Sequence, residues 1–162
     1  MNNSVYGFIN SRLLCVLSRK PQAYANINGS KKYAGIVGLV KFYQTADGTL
    51  VYAALSGLPK DGGFHGFHIH SGEKCGGNSS DPFADVNGHY SKSEVPHPYH
   101  SGDMPPLLSA DGNALSVFLT DRFSVDEVIG KTVIVHSGAD DFKSQPSGDS
   151  GEKIACGQLV KT

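Results

Sequence analysis

Seven histidines are the residues of this 162-residue sequence whose type and spacing could do chemistry. His68 and His70 flank Ile69 in an apolar run, and strand alternation would place both imidazoles on one face. Two imidazoles at positions i and i+2 of a rigid strand can hold one metal ion. His65 has the opposite parity, so we expect it to point toward the core and not to be a ligand.

A second set of ligand-type residues follows in the next segment of the chain. It consists of His89, His97, His100 and Asp103. Three imidazoles and one carboxylate suit a tetrahedral zinc site, and a metal would fix the shape of a loop that has little core of its own. His136 ends another apolar run, where it could complete the first site. A single histidine is more often a structural residue, but this density of ligand types favours metal binding.

The elements that must position these side chains are predicted to be short strands. The strands are expected at 34–45, 49–57, 64–70, 113–120, 131–136 and 154–160. An Asp-Gly turn between the first two is a strong hairpin signal, and strands separated by turn residues favour an antiparallel sandwich or barrel. The segments 71–106 and 137–151 lack periodicity, which is typical of functional loops or disordered segments. Ser124 and Glu127 could form a capping box.

Residues 1–20 differ in pattern from the rest of the chain. Apolar residues recur at helical spacing between Val5 and Leu17, and Pro21 would end the helix. We therefore expect an N-terminal amphipathic helix extension over 1–20 and one domain over 21–162. The apolar stripe would pack on the domain or form a partner or dimer surface.

The composition and charge of the chain limit which other classes of function are possible. Hydrophobic residues make up 39 % of the chain and charged residues 18 %, which suits one folded core, and the net charge is −1. No strong basic charge points to nucleic acid, and no apolar run is long enough to span a membrane. Since residues 13–17 form too short an apolar stretch for a signal peptide, we expect a cytoplasmic protein. A disulfide among the three cysteines would favour export, so an exported form stays open.

Five stretches resemble the copper/zinc superoxide dismutase family, and its bacterial members in particular. They are HGFHIH at 65–70, GHY at 88–90, HSGDMPPL at 100–107, TVIVHSGADDF at 132–142 and GEKIACG at 151–157. The resemblance implies an all-β fold, an eight-stranded Greek-key β-barrel or sandwich with two long loops over the metals. It also implies an antioxidant enzyme that disproportionates superoxide to O₂ and hydrogen peroxide at a histidine-bridged copper/zinc centre.

The resemblance assigns a role to each ligand-type residue. Copper would be held by His68, His70, His89 and His136. Zinc would be held by His89, His97, His100 and Asp103. His89 belongs to both sets as the bridging imidazole, and it would deliver a proton to the reduced oxygen. Asp140 would lie behind the ligands and link His68 to His97.

Three cysteines and one lysine complete the expectations. By resemblance, Cys75 and Cys156 form a disulfide, whereas Cys15 has no counterpart and is expected to be a packed thiol on the N-terminal helix. The family usually has arginine where this chain has Lys153. Lysine keeps the positive charge that attracts the anion but lacks the forked donor geometry, so Lys153 is expected to be a catalytic residue. It could instead be a surface lysine paired with Glu152 or Asp149.

Two other classes of function stay open at this point. One is a non-catalytic copper- or zinc-binding relative, either a metal carrier or a structural metal protein. The other is an interaction module that docks through the N-terminal helix. If the protein is the enzyme, we expect superoxide as its small-molecule substrate and neither nucleic acid nor a membrane as a partner. A homodimer with a non-eukaryotic-type interface stays open.

Overall fold

Short antiparallel strands make up most of the regular structure in residues 12–61 and 63–162, the residues that the computed structural model describes. The strands are β1 (Ala23–Gly29), β2 (Val37–Thr45), β3 (Gly48–Ser56), β4 (Gly63–His65), β5 (Phe67–His70), β6 (Leu107–Ala110), β7 (Asn113–Thr120), β8 (Thr132–His136), β9 (Lys153–Gln158) and β10 (Val160–Lys161). Residues 12–17 form helix α1 and Val125–Val128 form helix α2; 3₁₀ turns occur at Lys31–Tyr33 and Ala84–Val86.

The sheet closes into a nearly complete barrel. The closure occurs at one strand, which is interrupted at Gly66. The hydrogen-bonded order is β4-β6-β7-β3-β2-β1-β9-β8-β5, with β10 beside β1. Because β4 and β5 are consecutive in the chain, the two ends of this order belong to the same interrupted strand. Gly66 donates to the Gly138 carbonyl and accepts from the His136 amide, so its backbone pairs outside the regular ladder. The predicted eight-stranded Greek-key barrel is therefore confirmed.

Strands β5 and β8, which carry His68, His70 and His136, are buried on both faces. On β5, Phe67 and Ile69 belong to the main core together with Val133 and Val135 of β8. The opposite face of β5 carries His68 and His70, which are also buried. The second face is closed by the long loops, because loop residues bring their own apolar side chains to it. Those loop side chains, Phe83 and Val86, form a small cluster with Ile134 and Cys156.

Several predicted elements differ from the observed ones. The strand predicted at 34–45 begins only at Val37, because the chain first makes the turn that follows Lys31–Tyr33. Strands β1 and β6 were absent from the predicted set. On β6, the exposed residue between the buried Leu107 and Ser109 is itself a leucine, so the sequence does not alternate as an amphipathic strand should.

The N-terminal helix is observed at 12–17, and the part predicted for residues 1–11 lies outside the described residues. A cavity of about 320 Å³ lies between this helix and the barrel, with Leu13 and Val16 on one side and Leu50 and Leu119 on the other. The described part of the helix therefore lies beside β3 and β7. Within the described residues, no helix has the length and apolarity needed to cross a bilayer.

Candidate metal centre

Both edges of β5 are hydrogen-bonded, which fixes the two histidines that it carries. One edge pairs with β8. At the other edge, Ile69 donates to the Gly102 carbonyl over 2.9 Å and accepts from the Tyr90 amide over 2.8 Å. These contacts bring the backbone of His89 opposite His70 and that of Asp103 opposite His68. The long loop thus returns twice to the strand that begins it.

The structure brings seven ligand-type side chains together in two groups that share one residue. The copper group, as we call it from here, is His68, His70, His89 and His136. The zinc group is His89, His97, His100 and Asp103. Within each group the potential ligand atoms all lie within 4.8 Å of one another. The same two ligand sets were predicted from the sequence.

Hydrogen bonds on the outer side of the copper group fix which ring nitrogen of His70 and of His136 carries a proton. His70 donates from Nδ1 to the Asn87 carbonyl over 2.7 Å. His136 donates from Nδ1 to the Gly151 carbonyl over 3.2 Å. A carbonyl oxygen can only accept, so Nε2 of each ring keeps its lone pair. A neutral imidazole with an oriented lone pair is the form that binds a metal.

Asp140 fixes the orientation of one histidine from each group. His68 donates from Nε2 to one carboxylate oxygen over 2.7 Å, and His97 donates from Nε2 to the other over 2.9 Å. Burial would raise the pKa of Asp140, but hydrogen bonds from His68, the Phe142 amide and His97 hold this pKa well below its usual range. The link that the resemblance implied for Asp140 is present in the geometry.

The inner nitrogens of both groups are buried and make no hydrogen bond. They are His68 Nδ1, His70 Nε2, His89 Nε2, His97 Nδ1, His100 Nδ1 and His136 Nε2. A buried polar atom without a hydrogen bond is costly, and six of them converging on two points is the pattern expected of ligands. Imidazole suits copper and zinc, and the added carboxylate suits zinc. The residues present therefore fit both metals.

Burial keeps His68, His70 and His136 neutral. It is the main cause that lowers the pKa of His68 and that of His70. Burial also lowers the pKa of His136 to about 3, with smaller contributions from neighbouring positive groups such as Lys153. These rings therefore offer lone pairs at neutral pH without first losing a proton.

His89 lies between the two groups and presents one ring nitrogen to each. Its Nδ1 is 2.7 Å from Asp103 Oδ1, on the zinc side, and its Nε2 is the unpartnered atom on the copper side. The other oxygen of Asp103 lies 3.2 Å from Nδ1 of both His97 and His100. One imidazole is thus placed to contact two metal ions at once.

Comparison with known proteins identifies the family. The sequence model of copper/zinc superoxide dismutase (SODC) matches residues 36–159. The chain belongs to the copper/zinc superoxide dismutase family. The resemblance predicted from five short stretches is confirmed, and membership implies copper and zinc as cofactors.

Bacterial members of the copper/zinc superoxide dismutase family are among the similar proteins. Superoxide dismutase [Cu-Zn] of Legionella pneumophila is 33 % identical over 131 residues, which cover 76 % of this chain and 77 % of that protein. Superoxide dismutase [Cu-Zn] 2 of Aquifex aeolicus is 31 % identical over 139 residues, with 76 % and 79 % covered.

Solved structures agree with the fold. A double mutant of a superoxide dismutase-like protein from Bacillus subtilis superposes with a TM-score of 0.71 at 25 % identity, covering 85 % of this chain and 96 % of that one. The Cu/Zn superoxide dismutase of Brucella abortus gives a TM-score of 0.73 at 24 % identity, with 84 % and 98 % covered. The second likeness supports the barrel fold alone.

Lys153 of this family member lies beside the copper group. Its backbone pairs with that of His136 across β8 and β9. Its ammonium donates to the Phe83 carbonyl over 3.0 Å and lies 2.6 Å from an Asp81 carboxylate oxygen. The alternative of a surface lysine paired with Glu152 or Asp149 is wrong, because Lys153 is mostly buried and pairs with Asp81, whereas Glu152 pairs with Lys32 over 2.7 Å.

The expected disulfide is present between Cys75 in the long loop and Cys156 on β9, with Cα atoms 5.7 Å apart. It ties the loop that carries Asp81 and Phe83 to the strand that carries Lys153.

Cys15 differs from expectation, because its thiol is exposed instead of packed. Cys15 lines the open cavity between the helix and the barrel, where solvent reaches its thiol.

Two residues that support the metal groups were not predicted to do so. Arg122 donates from one guanidinium nitrogen to the carbonyls of Pro98, His100 and Asp103, so it holds the backbone of the zinc loop at three positions. His65 is buried as expected, and its Nδ1 pairs with the carbonyl of His136 over 2.9 Å. No local pattern marks Arg122, because its three partners lie about twenty residues away in an aperiodic loop.

Proposed function

We propose that this protein is a superoxide dismutase that converts two superoxide anions and two protons into O₂ and hydrogen peroxide. One observation carries the proposal: His89 presents one ring nitrogen to each of two complete ligand groups. A metal carrier or a structural zinc protein needs only one of these groups. A shared imidazole between four-histidine and three-histidine-plus-aspartate sets is the arrangement expected of a coupled redox centre.

The ligand roles follow the two groups. Copper would be held by His68, His70, His89 and His136, and zinc by His89, His97, His100 and Asp103. When bound, copper supplies the one-electron chemistry by alternating between Cu(II) and Cu(I), whereas zinc has no redox chemistry. The protein contributes the fixed lone pairs, the dry surroundings and the orientation that Asp140 imposes on one histidine of each group.

His89 is the residue placed to move a proton. Hydrogen peroxide needs two protons that superoxide does not carry, and a positioned histidine is the commonest general acid. The Nε2 atom of His89 faces the copper group without a protein partner, while Nδ1 faces the zinc group. The ring can therefore hold a proton at Nε2 and release it to the reduced dioxygen while its other side stays anchored.

Lys153 is proposed to attract the anionic substrate. It is next to His136 in the strand register, and positive charge near a site raises the local concentration of a small anion. Added salt is expected to slow the reaction, because it screens this attraction. The homodimer with a non-eukaryotic-type interface stays a prediction of the sequence.

The test is metal analysis combined with superoxide decay, on protein supplied with both metals. The wild type is expected to bind one copper and one zinc and to consume superoxide. His136→Ala should lose copper and dismutation but keep zinc, because His136 belongs to the copper group alone. Wild-type protein loaded only with zinc is the matched control and should be inactive. Full activity in His136→Ala, or none in the copper- and zinc-loaded wild type, would overturn the proposal.

A further inference from the structure

Asp81 is held rigidly at the position where it meets Lys153. One of its carboxylate oxygens accepts from the Phe83 amide over 3.0 Å, and its own amide donates to the Asn78 side chain over 2.9 Å. The Phe83 side chain is buried against Ile134 and Cys156 of β8 and β9. The turn that carries Asp81 is therefore anchored to the two strands that carry His136 and Lys153.

The Lys153 ammonium is bound by two acceptors from this turn. They are the Asp81 carboxylate at 2.6 Å and the Phe83 carbonyl at 3.0 Å. An ammonium has three donors, and no third acceptor for it occurs within the described residues. The flexible lysine stem is thus fixed by a carboxylate and a carbonyl, and one N–H remains for an anion.

We propose that Asp81 sets the attraction of the copper group for anions, because its carboxylate both positions the Lys153 ammonium and offsets its charge. The inference rests on the proposed function, since it concerns how superoxide is drawn to that site. Asp81 is a positioning residue, which acts on the anion through Lys153. Two opposite charges 2.6 Å apart act at a distance as a dipole, whose attraction for an anion is weaker than that of a lone ammonium.

The ion pair between Asp81 and Lys153 therefore attracts anions less strongly than a lone lysine would, but it fixes the orientation of the ammonium. It fixes, with little net charge, the ammonium of the residue whose backbone pairs with that of His136. Removing the Asp81 carboxylate should leave the full lysine charge in place. Asp81→Asn is the suitable variant, because asparagine is nearly isosteric and keeps an oxygen that accepts from the ammonium. Its NH₂ group then faces the Phe83 amide, which loses its acceptor, so the free energy of unfolding of the variant is measured beside its azide affinity.

The experiment measures azide binding to the copper- and zinc-loaded protein by the change in copper absorption. Asp81→Asn is expected to bind azide about threefold more tightly at low salt. Lys153→Met should bind it more weakly, and the double variant should recover only part of that loss, because both charges are removed but the N–H of Lys153 is removed as well. The superoxide decay rate of Asp81→Asn should also fall more steeply with ionic strength.

A matched control separates the local effect from the change in net charge. Asp111 pairs with Lys60 over 3.5 Å on the surface, outside both metal groups, so Asp111→Asn adds the same charge and should leave azide affinity unchanged. Equal azide affinity in Asp81→Asn and Asp111→Asn overturns the inference. Asp81→Ser repeats the test if the asparagine variant folds poorly, since serine also removes the charge and keeps an oxygen.

The azide titration also separates this inference from the proposed function. A wild type that binds copper and azide but leaves superoxide unchanged would refute the dismutase activity. The affinities of the Asp81, Lys153 and Asp111 variants would still decide whether Asp81 controls anion attraction.

Discussion

His68 and His97 donate hydrogen bonds to opposite oxygens of the same Asp140 carboxylate, over 2.7 and 2.9 Å. His68 belongs to the copper group and His97 to the zinc group. The two groups are therefore connected twice, directly through the His89 ring and from behind through Asp140. Because Asp140 is itself buried, neither histidine can rotate without breaking a charge-assisted hydrogen bond.

Asp140→Asn is expected to weaken the affinity for both metals about 10- to 100-fold. An amide presents one NH₂ group where the wild type has an acceptor, so one of the two imidazole N–H groups meets another donor. Chelator competition with each metal measures the change. Asp141→Asn is the control, because Asp141 carries the same charge but its side chain bonds only within its own exposed turn. Equal metal affinities in the two variants would contradict this role.

Arg122→Met is expected to lower zinc affinity and to reduce the free energy of unfolding by about 1–2 kcal/mol. The guanidinium holds the carbonyls of Pro98, His100 and Asp103, and two of these residues are in the zinc group. Zinc affinity from chelator competition and urea unfolding measure the two effects. Arg122→Lys keeps the charge but cannot reach three carbonyls in the same way, so it should recover only part of the loss. Unchanged zinc affinity in Arg122→Met would refute the bracing role.

Reduction of the Cys75–Cys156 disulfide is expected to lower the melting temperature. The bond closes a segment with a sequence separation of 81, and the chain-entropy account assigns about 4–5 kcal/mol to a loop of that size. Thermal unfolding with and without reductant measures it. Cys15→Ser removes the exposed free thiol and should show the same loss on reduction. A melting temperature insensitive to reductant would mean that the bond contributes nothing.

Glu127→Gln is expected to destabilise the protein by about 1 kcal/mol or less at pH 6, since both partners of its ion pair are partly exposed. Glu127 accepts from Lys92 over 2.8 Å and from the Ser124 amide over 2.7 Å. These hydrogen bonds lower the pKa of Glu127 from 4.5 to about 2.

The lowered pKa of Glu127 determines how its contribution to the free energy of unfolding changes with pH. The folded-state pKa lies below the unfolded one, so the stabilisation is complete above pH 4.5 and is lost as the pH falls toward about 2. Urea unfolding of wild type and Glu127→Gln should therefore differ less at pH 3 than at pH 6. A difference that stays constant or grows on acidification would show that the carboxylate charge is not its source.

The ligand-type residues were predictable because strand parity and motif spacing are local signals. His68 and His70 occur on one face of β5 and Phe67 and Ile69 on the other, as alternation requires. The capping box at Ser124 was also visible from the sequence and is present. These features depend on residues within a few positions of each other, where backbone geometry leaves little freedom.

The contacts that were not predictable join distant loops. Lys153 and Asp81 are 72 positions apart, and only the folded chain shows that Asp81 takes the place of the expected partner Glu152. No pattern in the residues around Arg122 predicts that it binds the carbonyls of the zinc loop. Strand β6 was missed because its exposed position is Leu108, where solvent exposure would favour a polar residue. Tertiary packing decides each of these cases.

The most direct test of the shared His89 ring is a crystal structure of the protein loaded with copper and zinc, with anomalous diffraction recorded at the absorption edge of each metal. We expect a copper peak at His89 Nε2, among the rings of His68, His70 and His136, and a zinc peak at His89 Nδ1, beside Asp103. Both metals on one side of the His89 ring, or a ring that touches neither peak, would contradict it.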